Sequence, residues 1–117
     1  MPIRVLLADP DETVLESYQA FLSRQGFEIL TVTTSDTCIK ALREFSPQVL
    51  VLEPERPGGW GTEILNHLCT VDSLPVIVLT RHDIDLTGFP IHEHHIKPYS
   101  MFELSDGIRG AAAALTG

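Results

Sequence analysis

The sequence predicts a doubly wound α/β domain, a five-stranded parallel sheet with helices on both faces. Three observations lead there. Short apolar runs of strand length alternate with amphipathic helical stretches along the whole chain. The third run, QVLVLE at 48–53, is apolar on both faces, as a strand buried in the middle of a parallel sheet must be. Finally, four of the apolar runs end on a polar residue: Asp9, Glu53, Thr80 and Lys97. In open parallel sheets the sites lie at the carboxyl ends of the strands.

The elements follow in order. Residues 3–8 (IRVLLA) read as a buried strand. A helix is expected over 12–25, because Val14, Leu15, Tyr18, Phe21 and Leu22 make one apolar stripe. Gly26 ends it as a C-terminal cap. Residues 28–32 (EILTV) form the second strand. Ser35 or Asp36 caps the next helix, with Cys38, Ile39, Ala41, Leu42 and Phe45 inward and Pro47 as its stop. After the third strand and the loop PERPGGWG, a helix near 62–70 turns Ile64, Leu65, Leu68 and Cys69 inward. Val76 to Thr80 is the fourth strand.

Residues 81–90 (RHDIDLTGFP) break the rhythm, being too short and too interrupted by Gly88 and Pro90 for a normal helix. The fifth strand is expected at 91–96 (IHEHHI). The last helix runs from about Ser100 to Leu115 through Phe102, Leu104, Ile108, Ala111 and Ala112, weakened at Gly107 and Gly110 by about 1 kcal/mol each relative to Ala. Right-handed crossovers and this size favour the flavodoxin-like strand order 2-1-3-4-5.

Composition narrows the function. A chain of 117 residues supports a single domain, 1–117, with one core. No apolar run approaches the roughly 18 residues of a membrane helix. The start, Met1-Pro2-Ile3-Arg4, has no cleavage-site pattern, so a cytoplasmic location is expected. The net charge of −8, with Lys and Arg scattered singly, argues against nucleic acid or an anionic membrane as a direct partner. Two cysteines, Cys38 and Cys69, do not make a disulfide framework, and both read as small core hydrophobes.

With the strand ends assembled, the chain resembles the receiver domain of bacterial two-component response regulators over nearly its whole length. The residues that carry the resemblance are Ala8-Asp9-Pro10-Asp11-Glu12 after strand one, Pro57-Gly58 after strand three, Thr80 ending strand four, and Lys97-Pro98-Tyr99 after strand five. The resemblance implies a pocket in which two adjacent acids help hold Mg²⁺ and an Asp ending strand three accepts a phosphoryl group. It also implies that the Thr hydrogen-bonds the phosphate, that the Lys pairs with it, and that the proline follows a cis peptide bond. The chemistry is consistent: cations offset charge on the transferring group while a carboxylate attacks it.

The carry-over is partial. Asp9 matches the first acid, but Pro10 stands where the second, metal-ligating acid belongs. Asp11 does not slide back into that place, because the spacing from Asp9 to Gly26 already fits the family. Glu53 occupies the acceptor position in Glu53-Pro54-Glu55-Arg56-Pro57-Gly58. Its extra methylene displaces the carboxylate by about 1 Å, an error of a size that is costly in catalysis. Thr80 and Lys97 are only 17 positions apart, so the fourth helix of the family is expected to be very short or missing. His94 takes the switch-aromatic position three residues before the Lys.

The expected function is therefore an atypical receiver, without catalytic role, that binds other signalling proteins or a second copy of itself independently of phosphorylation. Glu53 is a degenerate phosphosite, either a relic or a mimic of the phosphorylated state that reaches Lys97 or Thr80. Asp9 and Asp11 form an acidic pocket, Thr80 and Lys97 keep the phosphate-pocket positions, and Pro98 is the cis-proline candidate. No cofactor is expected beyond weak Mg²⁺ or Ca²⁺ binding by Asp9, Asp11, Glu53 and Glu55. His92, His94 and His95 with Glu93 read as an edge strand rather than a zinc site, which wants four ligands. Trp60 packs on its loop or anchors a partner. One alternative is a working phosphoacceptor that uses non-standard acids with Mg²⁺. The other is a small-ligand or metal-binding domain on the same fold.

Overall fold

The computed structural model describes residues 2–54, 60–70 and 74–116, with side chains for all of these except Trp60, Leu115 and Thr116. Its elements are β1 (Arg4–Ala8), α1 (Glu12–Arg24), β2 (Glu28–Val32), α2 (Ser35–Glu44), β3 (Val49–Leu52), α3 (Trp60–Leu68), β4 (Val76–Thr80), β5 (Glu93–Ile96) and α4 (Met101–Thr116). The five strands form one sheet in the order β2-β1-β3-β4-β5, and every described pairing is parallel.

Alternation along each strand divides the core in two. Val5, Leu7, Val49, Val51, Ile77 and Leu79 turn to the face covered by α1 and α4, where Leu15, Leu22, Leu104 and Ile108 meet them. Leu6, Ala8, Leu50, Leu52, Val76 and Val78 turn to the face of α2 and α3 and meet Cys38, Ala41, Ile64, Leu65 and Leu68. Every residue of β3 and β4 is buried, which accounts for their uninterrupted apolar sequence.

The expected break between β4 and β5 is a helix-free link. Its Leu86, Phe89 and Ile91 pack against the α2–α3 side of the core. They cover with loop side chains the area a fourth crossover helix would occupy.

Local chemistry sets the helix ends. Asp11 caps α1, its carboxylate accepting from the Thr13 and Val14 N–H groups. Gly26, at φ +91°, takes the left-handed turn just beyond the helix. The cap of α2 is Thr34, not Ser35 or Asp36: its hydroxyl accepts from Thr37 N–H at 3.1 Å, and Ser35 already lies inside the helix. Ser100 opens α4, its hydroxyl accepting from Phe102 N–H at 3.0 Å.

Three inward assignments need correction. Cys69 is exposed, because α3 ends one residue before it; its thiol points back to the Leu65 carbonyl at 3.6 Å. Ile39 is only half-buried and lies outside both core clusters. Phe102 is 65% exposed and rests edge-on against Phe21, with ring centroids 5.1 Å apart. In the first turn of α4 it overhangs the crevice toward α1 instead of entering it. The side chain of Leu115 lies outside the described residues.

Candidate functional site

The parallel ladder carries the polar residues to one end of the sheet. Asp9 N–H donates to the Val32 carbonyl at 3.2 Å, Glu53 N–H to Ala8 at 3.1 Å, and Lys97 N–H to Thr80 at 2.8 Å. Each residue is thus held at the carboxyl end of its strand by the strand beside it. Asp9 is 4% exposed and Glu53 5% exposed, the two buried carboxylates of the described core. Both line a narrow cavity with Leu7, Val14, Leu15, Tyr18, Val51 and Leu79.

Each acid has a distinct local role. Asp9 Oδ1 accepts from Asp11 N–H at 2.8 Å, which turns the chain from β1 into α1. The Asp11 carboxylate is exposed and faces its own helix as the cap. Pro10, between them, offers no side-chain oxygen. Glu55 lies outside the described residues, as do Pro57, Gly58, Gly59 and the side chain of Trp60.

At β4 the Thr80 hydroxyl donates to the His82 carbonyl at 2.6 Å and lies 2.7 Å from His94 Nε2. The hydroxyl of Thr80 therefore serves the β4–β5 link and not Glu53. Lys97 is half-buried beyond β5, and the Lys97–Pro98 peptide bond is cis. The neighbouring histidines diverge. His92 is exposed, His94 meets Thr80, and His95 Nε2 lies 2.9 Å from the Glu93 carboxylate. Among the described residues no three His, Cys, Asp or Glu side chains converge as a metal site requires.

One contact was not anticipated from the sequence. The Tyr18 and Tyr99 hydroxyls hydrogen-bond to each other across the chain. Burial is the main reason the Tyr18 phenol is pushed above its ordinary range; its bond to Tyr99 opposes that, and the Asp9 and Glu53 charges add to it. Burial, then the bond to Tyr18, raises Tyr99 further. The available signal was a Tyr inside an apolar helical stripe, since a buried phenol needs a partner.

Comparison with known proteins bears on the family and the fold. The family model described as "Response regulator receiver domain" matches residues 5–93. The transcriptional regulatory protein AfsQ1 of Streptomyces coelicolor is 32% identical over 82 residues, covering 70% of this chain and 36% of the relative. The sensory transduction protein RegX3 of Mycobacterium tuberculosis is 27% identical over 110 residues, 90% of this chain and 48% of the relative. The chain thus spans about half or less of the length of these curated relatives. Among solved structures, the signal receiver domain of a Luxo repressor protein from Vibrio parahaemolyticus has a TM-score of 0.87 at 20% identity, covering 99% of this chain and 94% of that one. A CheY-like receiver from Methanospirillum hungatei has a TM-score of 0.87 at 18% identity, with coverage of 99% and 98%. At these identities the structural likeness speaks for the fold alone.

Proposed function

Since the chain belongs to the response-regulator receiver family, we propose that it serves two-component signalling as a phosphorylation-independent protein-interaction module. One observation carries the reading: the acceptor position holds a buried glutamate, Glu53, beside a first loop whose acids have other work. Phosphoryl transfer to a carboxylate is a matter of positioning and charge. Here the carboxylate at the acceptor position is longer by a methylene, and Pro10 replaces one of the acids that bring in the metal's charge.

The donor set does not fit the family's Mg²⁺ site. Pro10 removes one ligand, Asp11 is committed to the α1 cap, and Asp9 Oδ1 holds the Asp11 amide. Of the three acids the family brings to this pocket, Asp9 and Glu53 remain, so a hard cation here would have one carboxylate fewer to hold it. We therefore derive no step through a metal. On this reading Thr80, Lys97 and Pro98 keep the shape of an ancestral pocket, and His94 replaces the switch aromatic. The module works by binding other signalling proteins or a second copy of itself, with no role for nucleic acid or membrane.

Incubation with acetyl phosphate and Mg²⁺, read by intact mass, tests this. The expected result is no gain of mass. Stoichiometric gain of one phosphoryl group, lost in Glu53→Gln, overturns the reading in favour of a working receiver.

A further inference from the structure

β2 ends the sheet. It pairs with β1 on one side, and among the described residues no strand pairs with its other side. In a parallel pair, alternate residues turn their N–H and C=O groups to the same neighbour. Glu28 N–H donates to the Ile3 carbonyl at 2.9 Å, and Asp9 N–H donates to the Val32 carbonyl at 3.2 Å. Glu28, Leu30 and Val32 are therefore bonded inward, and the backbone groups of Ile29 and Thr31 face the free edge.

A groove flanks that edge on each face. On the α1 side, one of about 430 Å³ is walled by Glu12, Glu16 and Gln19 and floored by Thr31 and Thr33. On the α2 side, one of about 360 Å³ is lined by Leu30, Ala41 and Phe45, with Lys40 and Glu44 at its rim. Val32 and Thr37 line both, so the two grooves meet around the end of the strand. Leu30 is 37% exposed into the apolar one.

We propose that the free edge of β2 is a docking site for an extended segment of a partner protein that alternates basic and apolar residues. A strand added there takes its backbone bonds from Ile29 and Thr31, and its side chains fall alternately on the two faces. One set meets the carboxylates of Glu12 and Glu16, so it is cationic. The other meets Leu30, Ala41 and Phe45, so it is apolar. Charge also selects the occupant: with a formal charge of −8, the chain attracts a basic segment and repels a second copy of itself. The site is on the opposite edge of the sheet from β5 and does not depend on what Glu53 does.

The test is a labelled nine-residue peptide alternating lysine and valine, titrated into the full chain and followed by anisotropy and by amide hydrogen exchange. Saturable binding is expected, weakened by salt, with the Ile29 and Thr31 amides slowed about tenfold or more. Glu12→Gln with Glu16→Gln, both exposed positions, is expected to weaken binding about fivefold while circular dichroism stays unchanged. A lysine–proline peptide of equal charge, which lacks half the backbone donors, is expected not to bind. Three outcomes overturn the proposal: equal binding of the proline peptide, protection at β5 instead of β2, or protection of Ile29 and Thr31 in a dimer without peptide.

Discussion

A methyl group distinguishes two helical glycines. A Cβ at Gly61 would lie 2.5 Å from Pro54 Cβ and 2.6 Å from its backbone, so α3 approaches the residue after Glu53 too closely for any side chain. A Cβ at Gly110 meets nothing within 4 Å. Gly61→Ala is expected to destabilise the fold by about 1–3 kcal/mol through overpacking. Gly110→Ala is expected to stabilise it by about 1 kcal/mol through helix propensity. Urea unfolding of the two variants checks both signs. At this scale the sequence was legible where a residue broke a pattern. Asp9, Glu53 and Thr80 stood out because polar groups ended apolar runs. Phe102 was misplaced because a helical stripe gives the phase of a residue and not the depth of its turn. The Thr80–His94 bond was not legible, because it joins residues on neighbouring strands whose register sequence alone does not fix.

Among the elements, the link from β4 to β5 departs most from the family. Its shortness was readable from the 17-position spacing of Thr80 and Lys97 and from Gly88 and Pro90 within it. What covers the vacated face was not, because half-buried loop side chains follow no period. Helix starts were harder still. Thr33, Thr34, Ser35 and Asp36 are four successive residues of good capping type, and only backbone conformation singles out Thr34. The link makes few ladder bonds and is anchored mainly by Leu86, Phe89 and Ile91. Native-state hydrogen exchange is therefore expected to find the amides of 82–90 opening at low free energy, and those of β3 and β4 only with global unfolding. Equal protection in the two regions would contradict this ranking.

For the molecule as a whole, the buried acids of high pKa set the alkaline limit of stability. Burial pushes the Cys38 thiol from 9.0 up to about 12. Burial is also the leading cause that raises Tyr18 and Tyr99 above 10.0. The folded state therefore keeps protons that the unfolded chain releases. Their contribution is complete below about pH 9 and is lost as pH rises above it, at about 1.4 kcal/mol per pH unit for a fully retained thiol proton. Urea midpoints are expected to hold steady from pH 7 to 8.5 and then fall. The fall should be shallower in Cys38→Ala, and an unchanged slope would show that the thiol is not responsible.

Thr80 has a single hydroxyl proton, and the His82 carbonyl takes it. His94 must therefore present a hydrogen on Nε2 to make its 2.7 Å contact, which fixes the imidazole tautomer. His94 is thus a side-chain latch that ties β5 to β4 beside the ladder of backbone bonds.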